Sequence, residues 1–340
     1  MDKSVIFAVA GSGKTTHIIN QLNLTDPVLI VTYTTSNLDN IRTSILKKFG
    51  YFPANIKLLS YFTFIHSFCY KPFLTATYRT KGIFYKPNAN NYAKNEARYI
   101  TNGGRLYSNR ISKFLQENKV LDDINARLKK YYKYLYIDEI QDFAGNDFNF
   151  IKSLAKADIN ILMVGDFYQH TFDTSRDGIV NKTLHDDYAK YQAQFAQMGL
   201  KVDTTTLNKS YRCSPTVCEF ITKSIGINIE SHRTDAVSIN VVSDESEAQT
   251  ILSDNEIIKL FYQKHYAYNC YSKNWGDCKG EDKYNTVCVV LNRTTQEKFS
   301  TNTLRDLPAV SKNKLYVACS RPKRDLYFVP ESNMKKIDVN

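Results

Sequence analysis

An apolar run, Ser4-Val5-Ile6-Phe7-Ala8-Val9-Ala10, passes directly into Gly11-Ser12-Gly13-Lys14-Thr15-Thr16, and no other stretch restricts the fold as strongly. Strand, glycine-rich turn and helix start, in that order, make a phosphate-binding loop. Glycine lets the backbone curl so that successive N–H groups point inward at phosphate oxygens. Residues Ala10, Gly11, Ser12, Gly13, Lys14, Thr15 and Thr16 would line that cradle. Lys14 would reach the β- and γ-phosphates, and the Thr15 hydroxyl would hold Mg²⁺. The expected ligand is a nucleoside triphosphate.

The stretch that follows alternates strand and helix. Val28-Leu29-Ile30-Val31-Thr32-Tyr33 is an unbroken β-rich run suited to a strand buried on both faces. Thr34-Thr35-Ser36 offers an N-cap to a helix reaching about Lys48, and Ile56–Ser60 is a third apolar segment. Alternation of this kind predicts a doubly wound parallel sheet with ligands at the carboxyl ends of its strands. Residues 71–130 break the rhythm and read as a mostly helical insertion rich in Lys, Arg, Asn and Tyr. That composition suits contact with nucleic acid, and suits a solvated insertion without a ligand equally well.

Tyr134-Leu135-Tyr136-Ile137 then ends in Asp138-Glu139-Ile140-Gln141-Asp142. A carboxylate pair at the end of a buried strand supplies the other half of a nucleotide-hydrolysing site. Asp138 would hold Mg²⁺, and Glu139 would position and deprotonate the attacking water. Ile159–Val164 is a further strand, followed by Gly165-Asp166-Phe167-Tyr168-Gln169, where Gln169 can sense a γ-phosphate. In the remainder, a helix is expected from about Ser214, a strand at 237–242, a helix near 255–264, a strand at 286–291, a helix over 315–321 and a last strand at 326–329.

Composition narrows the class. A hydrophobic share of 43% and a charged share of 23% are those of a globular protein, and 340 residues leave room for two domains. No apolar run approaches the roughly 20 residues that span a bilayer, and strand 1 begins almost at once. Cytoplasmic residence without membrane contact is therefore expected. The seven cysteines are scattered, odd in number and without a Cys-x-x-Cys pair, so reduced, buried thiols are expected rather than disulfides or zinc. A net charge of +11 favours an anionic partner.

Taken in order, these strings resemble the UvrD/Rep-like superfamily 1 DNA helicases. Ala8–Thr16 is similar to motif I, Val31-Thr32-Tyr33-Thr34 to motif Ia, and Thr63-Phe64-Ile65-His66-Ser67 to the T-F-H-S element with one residue extra. Asp138–Asp142 matches the D-E-x-Q-D of motif II, and Gly165-Asp166-x-x-Gln169 matches motif III. Leu207–Arg212 resembles motif IV, Lys279-Gly280 motif V, and Tyr316–Arg321 motif VI. The resemblance implies an α/β fold of two RecA-like lobes, here about 1–200 and 201–340, with the insertion in the first. ATP and Mg²⁺ would lie in the cleft between them. Arg212 and Arg321 would neutralise charge developing on the transferring phosphoryl group. Glu281 or Asp282 would contact the ribose. The partner implied is single-stranded DNA, with RNA left open, held by Tyr33, Thr34, Thr63, Phe64, His66 and Phe172 through phosphate hydrogen bonds and base stacking. Tyr33 and Phe64 fit a core role equally well.

Several positions depart from that pattern. Only three residues precede Ser4, where relatives carry an adenine-contacting glutamine, so base preference stays open. Thr174 stands where motif III has a stacking aromatic, and Ser210 replaces the motif IV Asn. Only residues 213–275 separate Arg212 from Gly276, where larger relatives insert a whole domain. Three functions are therefore open: a 3′–5′ helicase or translocase, expected to be a monomer; a DNA-stimulated ATPase serving a partner such as a nuclease or a replication or repair factor; and a nucleotide-dependent switch without nucleic acid. Glu139 and the two arginines argue against the last, because a pure switch needs no efficient hydrolysis.

Overall fold

The computed structural model describes residues 1–90, 92–171 and 177–334. The chain divides into two compact units. One comprises Met1–Ile6, Lys14–Gly165 and Phe172–Asp203; the other comprises Phe7–Gly13, Asp166–Thr171 and Thr204–Asn340.

Buried apolar runs form the sheet of the first unit. Its strands are β1 (Lys3–Phe7), β2 (Val28–Thr32), β3 (Ile56–Ser60), β4 (Tyr134–Asp138), β5 (Asn160–Gly165) and β6 (Lys201–Asp203), in the order β3-β2-β4-β5-β1-β6. The β2 pairings to β3 and β4, the β4–β5 pairing and the β1–β6 pairing are all parallel. All five residues of β2 are buried, as a strand covered on both faces requires. Helix α1 (Lys14–Asn20) follows β1, and α2 (Thr35–Phe49) follows β2. The α2 start is set by Thr34, whose side chain accepts from the Asn37 N–H at 3.2 Å, and its end by Gly50 at φ 78°.

The insertion is partly helical. Lys71–Tyr78, Asn95–Tyr99, Ile111–Glu117 and Leu121–Tyr131 are helices, and Ile83–Phe84 pairs in parallel with Leu106–Tyr107. Arg98 and Arg110 both reach Asp177, at 3.1 and 3.2 Å, and so tie this region to the segment before β6.

In the second unit β7 (Ile239–Val241), β8 (Ile258–Phe261), β9 (Ser272–Asn274), β10 (Val287–Leu291) and β11 (Leu326–Pro330) form a second parallel sheet, ordered β7-β11-β10-β8-β9. Helix α3 (Ala309–Cys319) buries Leu315, Tyr316, Val317, Ala318 and Cys319 against its core. The lone tryptophan, Trp275, is buried there and donates its Nε1–H to the Leu260 carbonyl at 2.8 Å.

The helix expected near 255–264 is a strand. Ile258, Lys259, Leu260 and Phe261 are all buried, paired with β9 on one side and β10 on the other. Lys259 sits in so apolar a place because its ammonium donates to the carbonyls of Asp254 (2.5 Å) and Ile257 (2.9 Å). Burial holds its pKa below the ordinary lysine range. The helix of this stretch lies earlier, at Glu245–Ser253, capped by Asp244. All seven cysteines are free thiols, and every one but Cys270 is buried. Among the described residues no helix is long and apolar enough to cross a membrane.

Candidate nucleotide and nucleic-acid site

The first unit holds Lys14, Thr15, Thr16, Asp138 and Glu139. Lys14, Thr15 and Thr16 form the opening turn of α1, which packs against β4. Asp138 is the last residue of β4 and is 1% exposed. Glu139 follows in the left-handed region, φ 55° and ψ 46°. Non-glycine residues seldom occupy that region, and such backbone is of the sort held at functional sites. The buried Glu139 carboxylate takes two amides: Oε1 accepts from Asn37 Nδ2 at 3.3 Å, and Oε2 from Gln141 Nε2 at 2.5 Å. Gly165 closes over this arrangement, because a Cβ there would stand 2.3 Å from Gln141 Oε1 and 2.7 Å from Ile140 Cγ2.

The residues present fit Mg²⁺. The Thr15 hydroxyl and the Asp138 carboxylate are hard oxygen donors. Among the described residues no group of three or more His, Cys, Asp or Glu could hold a metal alone. Mg²⁺ held by such a pair would keep waters and substrate phosphate oxygens as its other ligands.

The second unit holds the rest of the phosphate loop. Gly11 and Gly13 have φ of 70° and 83°, the curled backbone that a cradle needs. The Val9 N–H donates to the Leu207 carbonyl at 2.9 Å, and the Tyr211 N–H to the Gly11 carbonyl at 2.8 Å. A Cβ at Gly11 would lie 2.7 Å from both Arg212 Cβ and Ser210 Oγ, so glycine is what lets the 210–212 segment approach the loop. Ser210 accepts from the Arg212 and Cys213 N–H groups at 3.2 and 3.0 Å and so shapes the turn that carries Arg212. Gln169, in a turn capped by Asp166, donates to that carboxylate at 3.0 Å.

Gly11, Tyr211, Arg212, Arg233, Asp235, Asp282, Asn285, Lys323 and Arg324 line one open cavity of about 380 Å³. Four cations against two carboxylates make it attractive to an anion. Arg212 faces this space and donates to Asp282 at 2.6 Å and to the Ser320 carbonyl at 3.1 Å. Arg321 is placed differently from Arg212. It is 1% exposed, and its guanidinium donates to the Val317 and Glu281 carbonyls (2.9 and 3.1 Å) and to Ser320 Oγ (3.2 Å). Burial, with Arg212 nearby, lowers its pKa below the ordinary arginine value. Of the two acids expected at the ribose, Glu281 accepts from Lys273 at 2.6 Å and from Tyr284, whereas Asp282 pairs with Arg212. Arg233, Lys323 and Arg324 had no motif to announce them.

The nucleic-acid residues separate by burial. Thr34 is the α2 cap, and the exposed Thr63 accepts from Ser60 Oγ at 2.9 Å. His66 is half-buried, stacked on Tyr70, and burial with Lys71 nearby lowers its pKa. It is therefore neutral near pH 7 and would meet a phosphate as a hydrogen-bond donor. Phe64 does not offer a ring to a base: it is 1% exposed and stacks on Phe68 in the core. Its neighbour Phe62 points the other way, with its ring 5.7 Å from Tyr33 and 5.2 Å from Tyr85, which is 66% exposed. Burial raises the Tyr33 phenol pKa, so it stays protonated. The Tyr61-Phe62 doublet was the available signal for this aromatic ladder. Phe172 and Thr174 lie outside the described residues.

Residues 80–173 match the family model of the UvrD/REP helicase N-terminal domain. That stretch contains most of the insertion, Asp138–Asp142 and Gly165–Gln169. No curated protein matches the chain. Among solved structures, arterivirus nonstructural protein 10, a helicase, is similar in a structure of its complex with DNA: 12% identity, TM-score 0.51, covering 96% of this chain and 60% of that one. A crystal structure of the same arterivirus helicase gives 12% identity and TM-score 0.51 over 98% of this chain and 62% of that one. This chain thus spans about 60% of the helicase it matches. Residues 80–173 thus resemble the UvrD/REP helicase N-terminal domain, and the chain as a whole shares its fold of parallel sheets flanked by helices with the arterivirus helicase.

Proposed function

We propose that this protein is an ATP-dependent DNA helicase or single-stranded DNA translocase that hydrolyses ATP with Mg²⁺ at its phosphate loop and travels 3′ to 5′. The observation that carries the reading is Glu139: a buried carboxylate held by Asn37 and Gln141, next to Asp138 at a strand end, in a chain that also carries Lys14 and Thr15. A carboxylate so held is ordered for taking a proton from water. Lys14 would bind the β- and γ-phosphates, Thr15 and Asp138 the metal, Gln169 would sense the γ-phosphate, and Arg212 with Arg321 would stabilise the transferring group. Cytoplasmic residence and a monomeric state belong to the same proposal.

The strand would cross Thr34, Thr63, His66 and Tyr33. The insertion supports an anionic partner as well: residues 71–130 hold thirteen Lys and Arg against four Asp and Glu, so they carry most of the chain's net charge of +11. A second reading, a DNA-stimulated ATPase acting with a partner such as a nuclease, draws support from the short 213–275 stretch.

The test is ATP turnover with and without single-stranded DNA or RNA, for wild type and Glu139→Gln, beside a duplex-unwinding assay. Glu139→Gln is expected to lower kcat at least about a hundredfold while nucleotide still binds. Turnover that no nucleic acid stimulates overturns both readings; stimulation without unwinding selects the second.

A further inference from the structure

Within the second unit four groups form one buried hydrogen-bonded line. The Ala10 N–H donates to the Tyr316 hydroxyl oxygen at 2.8 Å, and the Tyr316 O–H donates to Asp166 Oδ2 at 2.9 Å. The Gln169 side-chain amide donates to the same oxygen at 3.0 Å, and the Tyr168 N–H to the other at 3.1 Å. Tyr316 and Ala10 are fully buried, Asp166 is 1% exposed and Gln169 3%. We propose that Tyr316 is a positioning residue whose single hydroxyl registers the phosphate loop, at Ala10, with the Gln169 side chain, through Asp166. This rests on the nucleotide-site reading above and adds to it a route between loop and sensor.

The chemistry of a phenol suits the task. It has one proton and an acceptor oxygen, so giving the proton to a carboxylate leaves the oxygen free to accept a backbone N–H. Burial keeps the group protonated, because its pKa is raised well above that of an ordinary tyrosine. The ring is fixed by α3, whose inward face is core. A loop that shifts on taking up phosphate must therefore carry the hydroxyl with it or break the bond, and Asp166 and Gln169 respond in either case.

The test is Tyr316→Phe, which removes only the hydroxyl. Losing a hydrogen bond to a charged group predicts roughly a tenfold to hundredfold fall in DNA-stimulated kcat, with KM for ATP changed by less than about threefold. Gln169→Ala should fall by a similar factor, and the double variant should fall no further. Costs that multiply, or an unchanged kcat, overturn the proposal. Hydrogen exchange of peptides spanning 8–13 and 166–171 reads the same coupling without turnover. Both peptides should exchange faster in Tyr316→Phe, and unchanged protection at 166–171 overturns it. Where Tyr316→Phe does not fold, Asp166→Asn enters the same cycle, with the same outcomes deciding. A wild type that turns over no ATP instead refutes the nucleotide-site reading, and the exchange experiment then judges the relay alone.

Discussion

Gly165→Ala puts the first unit to a quantitative test. The new methyl would meet Gln141 Oε1 at 2.3 Å, Ile140 Cγ2 at 2.7 Å and the Ile140 backbone nitrogen at 3.0 Å. The two Ile140 contacts cannot be relieved by a flexible chain end, because one belongs to the backbone and the other to a buried β-branched side chain. Over-packing of this kind costs about 1–3 kcal/mol. The Gln141 contact has a separate consequence. Its amide is the group that holds Glu139 Oε2 at 2.5 Å, so turning it away removes a hydrogen bond to a carboxylate, about 1.5–3 kcal/mol. The two effects fall on different observables. Stability should drop by about 1–3 kcal/mol, read by urea unfolding followed by far-ultraviolet circular dichroism. Turnover should drop roughly tenfold or more from misplacement of Glu139. Gln141→Ala alone should reproduce the loss of turnover with a smaller loss of stability. A Gly165→Ala protein with wild-type kcat would refute the assignment of Gln141 as the group that holds Glu139.

Gly11→Ala should raise KM for ATP about tenfold or more in steady-state assays. The alanine combines a strained φ of 70° with a Cβ 2.7 Å from Arg212 and Ser210, so the loop and the 210–212 segment must separate. Stability should also fall as pH drops from about 7 towards 5, read as urea midpoints. Burial depresses the folded-state pKa of His17 and of His66. The unfolded chain then binds more protons once pH falls below the ordinary histidine range of about 6.5, so the stability present above that value is lost progressively towards the lower folded pKa. Replacing His17 and His66 with Gln should flatten the profile, and an unchanged slope would contradict their burial as its cause.

Much of the site can be read directly from the chain because its chemistry depends on neighbouring residues. A phosphate loop needs glycines and a Lys-Thr pair within a few positions, and Asp138-Glu139 must follow a buried strand. Val28–Thr32, Tyr134–Asp138 and Asn160–Gly165 also announce themselves, since a parallel strand covered on both faces is apolar throughout. Local pattern misleads where two structures share it. Residues 255–264 contain a short apolar run that suits a helix or a strand, and pairing with β9 and β10 decides for the strand.

Sequence alone therefore determined the class of sheet, the order of the motifs and which residues are proposed to handle phosphate and metal, since each follows from periodicity or from residue types close together. Tertiary structure decided which of those side chains are reachable and what holds them. Only packing separates Phe64, turned into the core, from Phe62, turned towards Tyr33 and Tyr85, because positions two apart in a helical turn face different sides. Only packing buries Arg321 while Arg212 lines a cavity. The Ala10–Tyr316 bond joins residues 306 positions apart, and such a contact exists only once both elements have closed on one core. The glycine-rich loop at residues 8–16 was legible as a string; that it is braced by Tyr316 was not.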